Sequence, residues 1–170
     1  ARPARRRARE LTAVGGNVIE HPGDKAGASK PERPFLEGWF AQDERGAYLI
    51  GSRCSACGTY YFPRQSRYCR NPACEGERFE DVPLSRRGRL WSYTDAGYQP
   101  PAPFVAADPY VPFAIAAVEL EHERMIVLGP VVQGVGADAL RVGMEMELVI
   151  ETLSQTETER QLSWKWRPAA

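Results

Sequence analysis

Four cysteines, all that the 170-residue chain contains, fall into two pairs: Cys54-Ser55-Ala56-Cys57-Gly58 and Cys69-Arg70-Asn71-Pro72-Ala73-Cys74. A Cys-x-x-Cys turn brings two sulfurs to one point, and a second pair across a short hairpin supplies the other half of a tetrahedron. The second pair has the wider spacing, so the Asn71-Pro72 turn must bulge to return Cys74 to the centre. Two disulfides, or four unlinked core thiols, are the structural alternatives. Disulfide frameworks belong to short secreted chains, and the sequence shows no apolar signal segment. The pattern therefore predicts a metal site formed by Cys54, Cys57, Cys69 and Cys74.

Zinc is the expected ion, because four thiolates with no open position make a closed structural site. Iron is the rival, since Cys-x-x-Cys-Gly also opens a rubredoxin-type site. A closed site performs no chemistry on a substrate. Its role is to fold some forty residues that have little core of their own, and there the free energy of metal binding is folding free energy.

Lys and Arg total 22, matching 22 Asp and Glu. A neutral chain has no global field to attract nucleic acid, so such a role needs a local basic patch. No apolar run approaches the roughly 20 residues that span a bilayer. A soluble protein and, from four metal-bound thiols, a reducing cytoplasm are the expected setting. The first residue is Ala, which suggests excision from a longer polypeptide.

Residues 1–30 carry Arg2, Arg5, Arg6, Arg7 and Arg9, then Gly15-Gly16 and Pro22-Gly23, and read as a basic leader or linker. Pro31 and Pro34 are expected to open a helix whose stripe is Phe35, Leu36, Trp39 and Phe40, stopped by Gly46. Trp39 and Phe40 then either cover the metal module or face a partner. Tyr48-Leu49-Ile50-Gly51 and Thr59-Tyr60-Tyr61-Phe62 form the arms of a zinc-ribbon hairpin. Arg64 and Arg67, before Cys69, either offset thiolate charge or meet phosphate. Residues 31–83 are thus one expected unit, a helix plus a zinc ribbon.

Residues 84–170 read as all-β. Strands are predicted over 88–94, 112–121, 124–132, 144–151 and 161–168, with a His122-Glu123 turn between the second and third and a short helical connection at 137–142. Five strands with that insert match a partly open OB-type barrel, and their periodicity equally suits another small barrel. The whole chain is then mainly β, with an N-terminal helix and zinc ribbon followed by a five-stranded OB-fold barrel. A proline-stiffened connection, residues 95–111, presents Tyr98, Phe104 and Tyr110 either as partner anchors or as a lid on the barrel.

No phosphate-binding glycine loop and no nucleophile elbow is present. His21 lies in the leader and His122 in a turn, and each reads as a solvent-facing residue. Without a free Cys, a positioned His or paired carboxylates, the chain is not expected to be an enzyme by itself.

The order Phe35-Leu36-Glu37-Gly38-Trp39-Phe40, Cys54-x-x-Cys57-Gly58, Phe62-Pro63-Arg64, a second cysteine pair, Gly88-x-Leu90-Trp91-Ser92-Tyr93-Thr94, Arg141-Val142-Gly143-Met144 and Trp166-Arg167-Pro168 resembles an acyl-CoA-associated family with a rubredoxin-like zinc ribbon and an OB-fold. The resemblance covers about residues 34–168. It implies a non-catalytic companion of thiolase-superfamily enzymes, joined to them in a hetero-oligomer. Such companions stabilise the thiolase-like subunit, assist acyl-CoA transfer and bridge to an enzyme such as a hot-dog hydratase. In steroid side-chain degradation a similar domain, fused to a hydratase subunit, supports a lipid-transfer-protein-like retro-aldolase, a lyase. On this reading Trp39, Phe40, Tyr98, Phe104 and Tyr110 meet the partner, and Arg64, Arg67 or Lys165 meets CoA phosphate. The wide second cysteine pair and the proline-rich loop depart from the commonest form of the family.

Two other readings compete. A single-strand nucleic-acid binder would interleave aromatic residues with a basic groove, whereas Glu145, Glu147 and Glu151 line the fourth predicted strand of the barrel. An iron electron carrier would be red.

Overall fold

The structure, a computed structural model, describes residues 30–99, 101, 109–155 and 157–169. All of the basic leader except Lys30, including His21, lies outside these residues, as do Phe104 and most of its proline-rich loop.

The expected N-terminal helix is replaced by strands β1 (Glu32–Pro34) and β2 (Phe40–Asp43), joined by a turn. Pro34 explains part of this difference, because proline disfavours helical backbone in the residue before it, here Arg33. Pairing decides the rest. β1 runs parallel to a strand at the far end of the chain (Glu32↔Arg160, Pro34↔Leu162). β2 pairs with the next strand of the ribbon, and the apolar spacing of Phe35, Leu36, Trp39 and Phe40 is spent on a turn between two sheets.

The ribbon is built on β3 (Gly46–Cys54), which pairs with β2, with β4 (Tyr60–Tyr61) and with β5 (Phe79–Pro83). β3 alternates half-buried with buried residues as far as Gly51 and ends on the first cysteine. Its partner β5 delivers the chain to Leu84, buried against the barrel, whose amide donates to the Leu49 carbonyl at 2.9 Å.

The barrel strands are β6 (Arg87–Ala96), β7 (Phe113–Leu120), β8 (Ile126–Pro130), β9 (Glu145–Gln155) and β10 (Arg160–Pro168), with a 3-10 turn at Ala137–Ala139. All five strands expected for the OB-fold are present, and the sheet order is β1-β10-β9-β6-β7-β8. Closure comes from the parallel bridge Val131↔Trp166, which returns the end of β8 to β10, and from the Val132 amide donating to the Trp166 carbonyl at 3.0 Å. β1 occupies the same edge of β10 one turn earlier in the strand, so a segment from the expected ribbon unit completes the barrel wall.

Inward residues of the barrel strands make the core: Leu90, Ala116, Val118, Leu120, Val127, Met146, Leu148 and Trp166 are all buried, as is Leu140 after the 3-10 turn. The ribbon seats against this barrel through aromatic rings. Trp39 stacks on Trp164 with ring centres 6.0 Å apart, while Phe62 meets both edge-on at 5.4 and 5.8 Å. Such pairs add about 0.5–1.5 kcal/mol each beyond the area they cover.

Candidate metal centre and docking surface

Cys54 ends β3, and residues 55–57 turn back on it. The Gly58 amide donates to the Cys54 carbonyl at 2.9 Å and the Cys54 amide to the Thr59 carbonyl at 2.9 Å, closing the first knuckle. Gly58 has φ 75°, a left-handed conformation that glycine adopts without steric cost. The wider second knuckle is folded by Asn71. Its carbonyl accepts the Cys74 amide at 2.9 Å and its side-chain oxygen accepts the Ala73 amide at 3.0 Å. The Cys69 amide donates to the Gly76 carbonyl at 2.7 Å. Gly76 is needed for close approach: a Cβ there would sit 2.9 Å from Cys54 Sγ and 3.2 Å from Cys74 Sγ.

The four sulfurs all lie within 4.8 Å of one another, with Cys57–Cys69 at 3.5 Å and Cys54–Cys74 at 3.9 Å. Metal–sulfur bonds of about 2.3 Å in a tetrahedron require sulfurs roughly 3.8 Å apart, so the donor set fits one four-coordinate ion. All four cysteines are free of disulfides. The electrostatics agree with this geometry. The Thr59 hydroxyl, followed by the Thr59 backbone, draws the Cys57 thiol down to about 6. At Cys74 the Gly76 amide acts in the same direction, but hydrogen bonding with Cys57, desolvation, and bonds with Cys69 and Cys54 outweigh it and push that thiol up to about 12. Sulfurs this close cannot all be anionic unless a cation sits among them, and a metal ion bound there would take the place of the retained proton.

Other sequence-predicted residues are dispersed. Trp39 and Phe40 are half-buried at the ribbon–barrel junction, Phe40 with its ring centre 6.0 Å from that of Trp164. Tyr98 is 79% exposed beyond the end of β6, and the Tyr110 hydroxyl donates to the Ala96 carbonyl at 2.6 Å. Arg64 and Arg67 lie on the loop before Cys69. Arg64 pairs with Asp81 at 2.5 Å, while Arg67 is exposed with no ion pair among the described residues. Lys165 is on β10 of the barrel, paired with Glu151 at 3.2 Å, whereas Arg64 and Arg67 belong to the ribbon loop. His122 lies in the predicted turn, its Nε2 3.3 Å from the Tyr60 hydroxyl.

A cleft of about 860 Å³ opens between ribbon and barrel, lined by Arg45, Arg86, Arg87 and Arg167 and by Glu121, Glu123, Glu147 and Glu151. Arg86 pairs with Asp43, and Arg87 and Arg167 with Glu147. With its charges balanced and largely paired, this cleft exerts little pull on an anion.

An apolar row on the outer wall of the barrel was not read from sequence. β6 has a bulge between Leu90 and Ser92, and the extra residue, Trp91, is 60% exposed. Ser92 faces Ala117, which faces Leu128, 64% exposed. On the other side of β6, the Gly143 amide donates to the Leu90 carbonyl at 2.7 Å, and its chain neighbour Val142 is 69% exposed. Ion pairs Arg89–Glu145 and Arg124–Glu119 border the row. The outward alternation of Ile126 and Leu128 was the available signal. The bulge that displays Trp91 leaves none.

Comparison with known proteins agrees with this architecture. Residues 48–80 match the ChsH2 rubredoxin-like zinc ribbon domain and residues 81–151 the ChsH2 C-terminal OB-fold domain. Over 81 residues, 46% of the chain, 42% are identical to benzoylsuccinyl-CoA thiolase subunit BbsA of Thauera aromatica, and the match spans 54% of that protein, about half its length. A DUF35 domain-containing scaffold protein of Methanocaldococcus jannaschii is 33% identical over 125 residues, 73% of the chain and 82% of the relative. The solved Ltp2-ChsH2(DUF35) aldolase superposes with a TM-score of 0.53 at 28% identity, covering 72% of the chain and 86% of the matched one. With its four-cysteine ribbon seated on a closed five-stranded barrel, the chain belongs to the DUF35 family of ChsH2-type zinc-ribbon and OB-fold proteins.

Proposed function

We propose that the chain is a non-catalytic accessory subunit or domain that docks on a thiolase-like acyl-CoA enzyme, a thiolase or a retro-aldolase, and stabilises it. The single observation that carries this reading is the family match, whose relatives include a thiolase subunit, a scaffold protein and an aldolase component. The exposed apolar row supports it, because contiguous apolar surface rimmed by charge marks an interaction site. The ion is zinc, the metal that closed four-thiolate sites hold in structural roles. Its work is to fix the ribbon against the barrel.

The finer reading places this activity in acyl-CoA catabolism, including that of steroid side chains, with a hot-dog hydratase as a further partner. Tyr98, Phe104 and Tyr110 are proposed as further partner contacts, and Trp39 and Phe40 contribute whatever area the junction leaves uncovered. Of the three cations proposed for CoA phosphate, Arg67 is the best placed, since Arg64 and Lys165 already hold carboxylates.

Co-expression with thiolase-like subunits tests the proposal by size exclusion. The pair is expected to co-elute, and Trp91→Ala combined with Leu128→Asp to weaken association about 30-fold or more, the effect of losing a hot spot of about 2 kcal/mol. A wild-type chain that elutes alone beside every thiolase-like subunit would overturn the reading.

A further inference from the structure

Thr59 and Tyr61 leave the first knuckle two residues apart in extended chain, so their side chains share one face, the face toward the sulfurs. The Tyr61 hydroxyl lies 3.0 Å from Cys69 Sγ and accepts the Arg70 amide at 3.0 Å. The Thr59 hydroxyl lies 3.1 Å from Cys57 Sγ and accepts the Asn71 side-chain amide at 3.4 Å. Each oxygen already receives an N–H from the second knuckle. Its own proton is therefore free to point at the sulfur, since a hydroxyl carries one donor alongside its acceptor sites. Tyr60, between them, turns the other way, with its hydroxyl at His122 and Arg53 over its ring.

We propose that Thr59 and Tyr61 are positioning residues of the metal centre: paired hydroxyl bridges that hold the wide second knuckle against the first and lower the negative charge on Cys57 and Cys69. An ion held by four thiolates leaves a site with net negative charge, and hydrogen bonds from outside the ligand set spread that charge. The Cys69–Cys74 loop has two more residues between its sulfurs than the Cys54–Cys57 loop and therefore more freedom to lose on closing. Both hydroxyls grip it, one at Arg70 and the other at Asn71, the residue that folds it.

The inference rests on the four cysteines holding a divalent ion and is independent of any partner. Its test uses the full chain loaded with Zn2+ or Co2+ under chelator competition, with the Co2+ spectrum recorded in parallel. Tyr61→Phe is expected to bind about 10- to 100-fold more weakly, the range typical for lost outer contacts. Its sulfur-to-cobalt charge-transfer band should move to lower energy, because a thiolate without its hydrogen bond gives up electrons more readily. Tyr60→Phe deletes the same atom on the opposite face and should change neither readout. Thr59→Val should behave as Tyr61→Phe does, and Thr59→Ser should restore both signals, so that pair decides the matter even if Tyr61→Phe does not fold. Affinity and spectrum unchanged in Thr59→Val would overturn this inference while leaving the metal site intact. A wild-type chain that binds neither ion would remove both.

Discussion

Cys54→Ser is expected to abolish metal retention and to unfold the ribbon while leaving the barrel folded. Cys54 is buried at 1% exposure where β3 ends, and its amide and carbonyl both close the first knuckle. Beyond the cysteines, the ribbon's buried side chains are few. Ala47, Leu49 and Ser52 are covered, whereas Tyr61, Phe79 and Val82 remain half-exposed. Structural zinc contributes about 10–16 kcal/mol of apparent binding free energy in small zinc-finger peptides, and an entire domain is stable by only about 5–15 kcal/mol. A ribbon without its ion therefore has too little burial to offset the entropy of ordering it. Metal analysis should fall from one ion per chain to none, and amide dispersion in a two-dimensional NMR spectrum should collapse for residues 39–83 while that of the barrel strands persists. The same spectrum should show small shifts around Trp164, which loses its contacts with Trp39 and Phe62.

The second large effect is expected at Trp166. Its side chain is fully buried, its carbonyl accepts the Val132 amide, and it carries the one bridge that returns β8 to β10. Trp166→Ala should cost about 3–5 kcal/mol, the usual range for removing a large aromatic residue from a core. The indole N–H lowers the cost of a milder replacement. It is buried with no hydrogen-bond partner among the described residues, and an indole N–H left so bears a desolvation penalty of about 1–3 kcal/mol. Trp166→Phe fills most of the volume and removes that penalty, and it should cost under about 1.5 kcal/mol, as volume-conserving swaps do. Urea unfolding followed at the barrel checks both. A loss for Trp166→Phe as large as that for Trp166→Ala would mean that the indole N–H makes a stabilising contact worth as much as the ring volume that Phe retains.

The metal centre was the most legible feature of the sequence, because thiolate spacing is a local property. Two sulfurs on a tight turn converge wherever the rest of the chain goes, and the four sulfurs of Cys54, Cys57, Cys69 and Cys74 meet. The barrel strands were legible for a similar reason, since the alternation from Glu145 to Glu151 is a property of one strand. The stretch from Pro31 to Asp43 was not. Its apolar spacing suits a helix, but its fate is decided by two distant pairings, β1 with β10 and β2 with β3, that local periodicity does not encode. From sequence, Trp39 and Phe40 could either cover the metal module or face a partner. Trp164, more than a hundred positions later, supplies part of what they pack on. Thr59 and Tyr61 looked like ordinary strand residues, and only the folded hairpin sets their hydroxyls beside sulfur. Trp91 was visible as part of a strand, yet whether it faced the core depended on a bulge.

These observations describe a ribbon whose four cysteines converge on one point, joined by aromatic rings to a closed barrel whose outer wall carries exposed apolar residues. Native mass spectrometry of the chain co-expressed with a thiolase-like subunit counts protein copies and bound ions at once. The account predicts a hetero-oligomer carrying one divalent ion for each copy of this chain. A folded, metal-free chain that never appears in a mass with the thiolase-like subunit would contradict it.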